Sequence, residues 1–145
     1  MTLFQRTPQL NISNSEQLRE MIHHYFHNTF NRYEQLFETL ACDEAYYKKP
    51  IPLRHPLIFY LGHTATFFIN KLILAGLISE RINPTFESMF AVGVDEMSWD
   101  DLSDSHYQWP TVQAVKDYRQ QVRTLVDDII RRTPLTSAID WDHPW

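Results

Sequence analysis

The sequence predicts an all-α helical bundle, and three observations support this. Three long segments carry apolar residues at steps of three and four, the period of one helix face. Glycine is scarce, with 3 residues, and the 8 prolines cluster between the periodic segments, as in long helices joined by stiff loops. The length of 145 residues and an apolar content of 43% suit one domain with a substantial core. We therefore expect residues 1–145 to form a single helical domain.

The first long helix is predicted from about Asn14 to Ala41. Ser13 and Glu16 have the spacing of a capping box, in which the hydroxyl and the carboxylate each accept from an orphan backbone N–H group. The apolar face comprises Leu18, Met21, Ile22, Tyr25, Phe26, Phe30, Tyr33, Leu36, Phe37 and Leu40.

Three histidines lie beside that apolar face. His23 and His27 are four residues apart and share a side of the helix, which is a spacing that metal-binding pairs use. No carboxylate or thiolate partner for them is evident nearby in sequence, so we interpret His23, His24 and His27 as boundary or surface residues.

A connector is predicted from Cys42 to Arg54, because Pro50 and Pro52 disfavour helix at and before their positions. Cys42 is the only cysteine of the chain and cannot form an internal disulfide. We interpret it as a half-buried structural thiol in a reducing cytoplasm.

The second long helix is predicted from His55-Pro56 to about Leu77, with proline at its first position. Apolar residues occupy almost every side, which indicates a central helix. One line along its surface carries the polar groups, among them His63, Thr66 and Asn70. A neutral imidazole in this setting must hydrogen-bond or bind a metal, and a metal needs at least three converging protein ligands. Both interpretations of His63 stay open at this point.

A long connector and a third long helix complete the pattern. Pro84 is expected to open a short helix that Gly93 ends, and the acidic stretch 95–104 after it lacks the spacing of a calcium-binding EF-hand. Trp109-Pro110-Thr111 then opens the third helix, which runs to about Arg132.

Charge and composition exclude several functions. The net charge of −5 argues against broad nucleic-acid binding, which needs a basic face. No secretory signal pattern begins the chain, and six polar residues interrupt the apolar run after Pro56, which argues against a membrane span. These residues are Tyr60, His63, Thr64, Thr66, Asn70 and Lys71. We expect a cytoplasmic protein.

Three long segments of the sequence resemble a known protein family. They are CDEAYYKKPIPLRHPLIFYLGHTATFFINKLILAGLI, RINPTFESMFAVGVDEMSWDDL and HYQWPTVQAVKDYRQQVR. Together they closely resemble the N-terminal region of the ovothiol-pathway 5-histidylcysteine sulfoxide synthases, relatives of the ergothioneine-type sulfoxide synthases. The resemblance extends from about Ser15 to Trp145.

This resemblance implies a DinB-like four-helix bundle followed by a domain of the formylglycine-generating-enzyme type. The complete enzyme uses non-haem iron(II) and dioxygen to join the cysteine sulfur to the histidine ring as a sulfoxide. In that family, three histidines hold the iron. One lies in a Gly-His-Thr motif that matches His63, and two lie in a His-x-x-x-His-x-Glu motif on the fourth helix. Thr66 and Asn70 are then candidates to orient His63.

The His-x-x-x-His-x-Glu pattern does not occur in this sequence. We therefore expect a fragment that ends before the fourth helix, binds no iron alone and is inactive alone. Its uncovered apolar stripe predicts one of four outcomes: self-association, exchange of elements between copies, closure of the stripe by the connector from Ser79 to Asp104, or binding to a chain that carries the missing helix. Two other hypotheses remain: a non-catalytic interaction module, or a metal site across a dimer that combines His63 with His23, His27, His55 or His106.

Overall fold

The computed structural model describes residues 6–11, 14–93, 108–135 and 139, and within them the chain forms helices and no strand. The elements in chain order are α1 (Ser15–Phe37), α2 (Glu44–Tyr47), α3 (Leu57–Leu74), α4 (Pro84–Met89) and α5 (Val112–Arg132). The predicted all-α architecture with three long helices and a short helix at Pro84 is confirmed. Helix α2 lies inside the stretch predicted as a connector, because four residues are too few to show a helical period.

The helix starts follow from side-chain caps. The Asn14 side chain accepts a hydrogen bond from the Gln17 N–H at 3.0 Å, and Asn14 is the N-cap of α1. The predicted cap, Ser13, lies outside the described residues. Helix α1 ends at Phe37, earlier than the expected Ala41, and α3 ends at Leu74 rather than Leu77. Pro56 is the N-cap of α3 and not its first helical residue.

Two apolar clusters hold the helices together. Helix α3 contacts α2, α4 and α5, and α1 also packs on α5. The first cluster joins α1, α3 and α5 through Phe26, Phe30, Ala65, Ile69, Tyr118, Val122, Val126 and Ile130. The second cluster joins α2, α3, the end of α4 and the start of α5 through Tyr46, Ile58, Phe59, Leu61, Phe90, Val112 and Val115. Helix α3 is therefore central, as predicted, although Phe67 and Leu74 remain exposed.

A buried carboxylate fixes the short helix α4. Glu87 is 1% exposed and accepts hydrogen bonds from the backbone N–H groups of Ile82 and Asn83, both at 3.0 Å. Arg81 pairs with the same carboxylate at 3.0 Å, and the Tyr118 hydroxyl donates to it at 3.3 Å. These contacts tie α4 to α5 and to the loop before it, so the position of the next residues is fixed.

Some predictions from the sequence are wrong, and others concern residues outside the described ranges. Cys42 is exposed rather than half-buried, because the chain after α1 turns along the surface. The acidic stretch 95–104, His106 and most of the tail lie outside the described residues. Helix α3 is long and apolar enough to cross a membrane by length and composition alone, a test that core helices also pass. Seven of its residues are buried within the protein.

Candidate metal centre

Gly62 allows a close approach between α3 and the end of α4. A Cβ atom at this position would lie 2.4 Å from the nearest atom of the Phe90 ring, and Phe90 itself is fully buried. Since such a distance is far inside van der Waals contact, only glycine permits the observed packing. The Phe90 backbone is consequently held directly beside the next residue of α3.

That next residue is His63, whose ring is held on several sides. Its Nδ1–H donates to the Phe90 carbonyl oxygen at 2.7 Å; a carbonyl only accepts, so this nitrogen carries the proton. The ring lies parallel to that of Phe59, with centroids 5.5 Å apart, and Phe67 contacts it edge-on. Metal-bound histidines commonly donate their second N–H to a carbonyl in this way, which leaves Nε2 for the ion. A structural core histidine makes the same hydrogen bond.

Thr64, after His63, belongs to a buried polar network. The Arg119 guanidinium, 1% exposed, donates to the Thr64 hydroxyl at 2.8 Å and to the Leu61 carbonyl at 2.7 Å. Glu34 pairs with the same guanidinium at 3.1 Å. Burial lowers the pKa of Arg119, and the Glu34 carboxylate acts in the opposite direction. The sequence reasoning missed Arg119, because an arginine on a predicted helix is normally exposed.

Thr66 and Asn70 bond to groups other than the His63 ring. The Thr66 hydroxyl donates to the His63 backbone carbonyl at 3.1 Å. Asn70 donates to the Glu87 carbonyl at 3.1 Å and accepts from Arg81. Their influence on a metal ligand is therefore indirect, through the backbone of α3 and the position of α4.

The ring of His55 packs on Phe59, 3.8 Å between centroids. His55 is buried, and its Nε2 lies 3.2 Å from the Val92 carbonyl oxygen. Within the described ranges, neither His55 nor His63 belongs to a group of three side chains able to hold a metal. His63 thus fits one ligand position, and the described residues do not supply its two partners.

A second histidine group lies between α1 and α5. The Nε2 atoms of His23 and His27 are each 2.6 Å from Oδ1 of Asp127. Arg131 donates to Oδ2 of Asp127 at 2.9 Å. Burial pushes the pKa of Asp127 up, but hydrogen bonds from His27, Arg131 and His23 outweigh it and hold this pKa well below its usual range. The two histidines lie at the boundary, as predicted, and Asp127 is the carboxylate that no sequence signal linked to them.

An apolar groove of about 420 Å³ runs between α1 and α3, with α5 as its floor. Its lining from α1 includes Ile22 and Phe26, and from α3 it includes Phe68 and Leu72. Helices α1 and α3 both pack on α5, and the groove between them is lined mostly by apolar side chains.

Comparison with known proteins decides the family. A model of the DinB superfamily matches residues 25–144. The chain belongs to the DinB superfamily. The DinB-like bundle implied by the resemblance is therefore confirmed.

This DinB-like chain is also similar to ergothioneine biosynthesis protein 1 of Neurospora crassa, with 32% identity over 82 residues. The matched segment covers 53% of the chain and 9% of the fungal protein's length. The recognition of a DinB-like domain related to ergothioneine-type proteins thus agrees with both comparisons.

Proposed function

We propose that this DinB-like domain supplies one iron-binding imidazole, His63, to a non-haem iron(II)- and dioxygen-dependent sulfoxide synthase of ovothiol biosynthesis. The enzyme joins the sulfur of cysteine to histidine. The similarity to an ergothioneine biosynthesis protein supports a related pathway. The three long segments that resemble the ovothiol-pathway enzymes favour the ovothiol branch.

The orientation of His63 is the observation that carries the proposal. Gly62 lets Phe90 approach, the Phe90 carbonyl fixes the proton on Nδ1, and Nε2 is left as the ligating nitrogen. Phe59 and Phe67 confine the ring from two sides, which reduces the entropy lost on metal binding. Iron, when bound, supplies the redox chemistry with dioxygen, and the protein supplies a neutral, oriented imidazole.

Two further ligands are required, because a facial set of three is what holds iron while leaving positions open. The resemblance assigns them to a His-x-x-x-His-x-Glu helix that this sequence does not contain. We infer that the chain alone is inactive and that activity, in the cytoplasm, needs a polypeptide carrying that helix.

The test supplies iron(II), cysteine, histidine and oxygen to the chain, with and without a polypeptide carrying the His-x-x-x-His-x-Glu helix. Sulfoxide should form only in the mixture, and His63→Ala should abolish it. The exposed His24 provides the matched control, His24→Ala, which should retain activity. Product from the isolated chain would refute its inactivity, and full iron loading of the His63→Ala mixture would refute the role of His63.

A second candidate is a non-catalytic interaction module on the same scaffold. The apolar groove between α1 and α3 favours it, because leaving several large side chains uncovered forgoes roughly 1.5–3 kcal/mol for each. Its occupant would be an amphipathic helix, from a second copy or from a chain that carries the missing helix.

Sedimentation analysis tests self-association through this groove. A dimer that Leu72→Glu disrupts would support it, with exposed Leu36→Glu, outside the groove, as the matched control. A compact monomer at all concentrations would exclude self-association. Tight binding of a peptide carrying the His-x-x-x-His-x-Glu helix, together with sulfoxide formation, would favour the role in a sulfoxide synthase over the non-catalytic module.

A further inference from the structure

We propose that His23, His27 and Asp127 form a binding site for a divalent first-row transition-metal ion. The site shares no ligand with His63 and does not rest on the proposed function.

Three ligand atoms converge from two helices. His23 and His27 lie one turn apart on α1, and Asp127 faces them from α5. Their ligand atoms all lie within 4.8 Å of one another, and both Nε2 atoms are 2.6 Å from the same carboxylate oxygen. The helices are fixed by the core beside the site, since Phe26 and Val126 are both buried in the first apolar cluster. Folding of the bundle therefore assembles the ligands before any ion arrives.

The two neighbours of His23 Nε2 require opposite protonation of this nitrogen. Asp127 Oδ1, 2.6 Å away, accepts a hydrogen bond when Nε2 carries the proton. Arg131, 2.8 Å away, only donates and needs a lone pair on Nε2. No single position of the imidazole proton therefore satisfies both neighbours. A metal ion attracts the lone pairs of Nε2 and Oδ1 at once and removes this conflict.

His27 shows what the ion must displace. Arg123 donates from Nε to His27 Nδ1 at 2.9 Å, so the imidazole proton lies on Nε2 and points at Asp127. On metal binding this proton moves to Nδ1, Nε2 takes the ion, and Arg123 turns away. Glu34 offers an alternative partner, 3.9 Å from Nη1 of Arg123.

The arginines are therefore competitors for the site. Arg131 is 57% exposed and can move into solvent, whereas the ligands are only 22–26% exposed. Imidazole and carboxylate ligands suit zinc, cobalt, nickel and iron(II), and three protein ligands leave positions for water. Partial exposure gives the ion and those waters access.

Cobalt(II) is the probe, because its visible spectrum reports nitrogen and oxygen ligation, and calorimetry with Zn²⁺ gives the affinity. We expect one ion per chain. His23→Ala, His27→Ala and Asp127→Asn should each weaken binding by more than the ~10–100-fold typical of losing an outer hydrogen-bond partner. Arg131→Ala should tighten binding, since it removes a competing cation. Circular dichroism melts confirm that each variant is folded.

Two controls separate this site from the site at His63. His24→Ala and His63→Ala should leave the Co²⁺ spectrum and affinity unchanged. The proposal is overturned if neither the wild type nor Arg131→Ala binds Co²⁺ saturably up to millimolar concentration. It is also overturned if His63→Ala abolishes the signal, or if Asp127→Asn retains wild-type affinity.

Discussion

The two histidine sites of this protein differ in how they are built. His63 lies in a distinctive sequence word, yet in the described residues its ring bonds to a backbone carbonyl rather than to a second ligand. His23 and His27 look like ordinary boundary residues in sequence, yet they converge on a carboxylate. The distinctive motif around His63 therefore goes with an oriented imidazole ring. The grouping of His23, His27 and Asp127 depends instead on which helices become neighbours in the fold.

The surroundings of the two sites differ as well. Buried groups fix His63, through Phe90 and the network of Arg119 and Glu87. The side chains of the proposed second site are 22–26% exposed, and they bond to Arg123 and to Arg131, which is 57% exposed. We expect substitutions near His63 to affect mainly stability and those near Asp127 to affect mainly ion binding.

The largest effect is expected for Arg119→Met, which leaves the Leu61 carbonyl and Thr64 without their donor. Removing one partner of a buried pair costs about 3–5 kcal/mol, and the low end applies because Glu34 is 34% exposed. Urea unfolding measures the loss. Arg132→Met is the control, since its exposed pair with Asp128 should contribute less than about 1 kcal/mol. Equal losses of unfolding free energy in Arg119→Met and Arg132→Met would contradict the expected difference between a buried and an exposed arginine.

Gly62→Ala is expected to destabilise the protein by about 1–3 kcal/mol, because the new methyl group collides with the Phe90 ring. The same unfolding assay applies, and the smaller side chain of Phe90→Leu should recover part of the loss in the double variant. Strict additivity of the two substitutions would show that the close approach is not the cause.

Tyr118→Phe should cost about 1 kcal/mol at neutral pH, the net value of one hydrogen bond to Glu87. Burial, and then the Glu87 carboxylate, raise the pKa of the Tyr118 hydroxyl. A raised folded-state pKa contributes stability that is complete below the unfolded value near pH 10 and is lost above it. The wild type should therefore lose more stability than Tyr118→Phe as the pH rises above about 10. Parallel alkaline profiles of the two proteins would contradict this.

The smallest effect involves proton positions alone. Nitrogen NMR at neutral pH, without added metal, should find the proton of His63 on Nδ1 and that of His27 on Nε2, because their partners are an acceptor and a donor. Adding Zn²⁺ should move the His27 proton to Nδ1 and leave His63 unchanged. If His63 and His27 carry the proton on the same ring nitrogen before Zn²⁺ is added, the two histidines do not differ in tautomer as expected.

Local patterns predicted much of the fold. The three long helices, the short helix at Pro84 and the central position of α3 follow from apolar periodicity and proline placement. Helix boundaries were less accurate: α1 ends early, and Asn14 caps it although Ser13 was expected to. Competing caps one residue apart differ too little in energy for sequence reasoning to rank them.

Apolar periodicity and proline placement reflect short-range backbone sterics and the burial of apolar side chains. The sequence by itself therefore determined the three long helices, the short helix at Pro84 and the face on which His63 lies. The contacts of Asp127 with His23 and His27 span 104 and 100 residues of chain, and the contact of Arg119 with Glu34 spans 85. Such contacts depend on the packing of α1 and α3 against α5, which brings residues together by position in space rather than by spacing along the chain. The folded bundle was therefore needed to find the carboxylate of the second site.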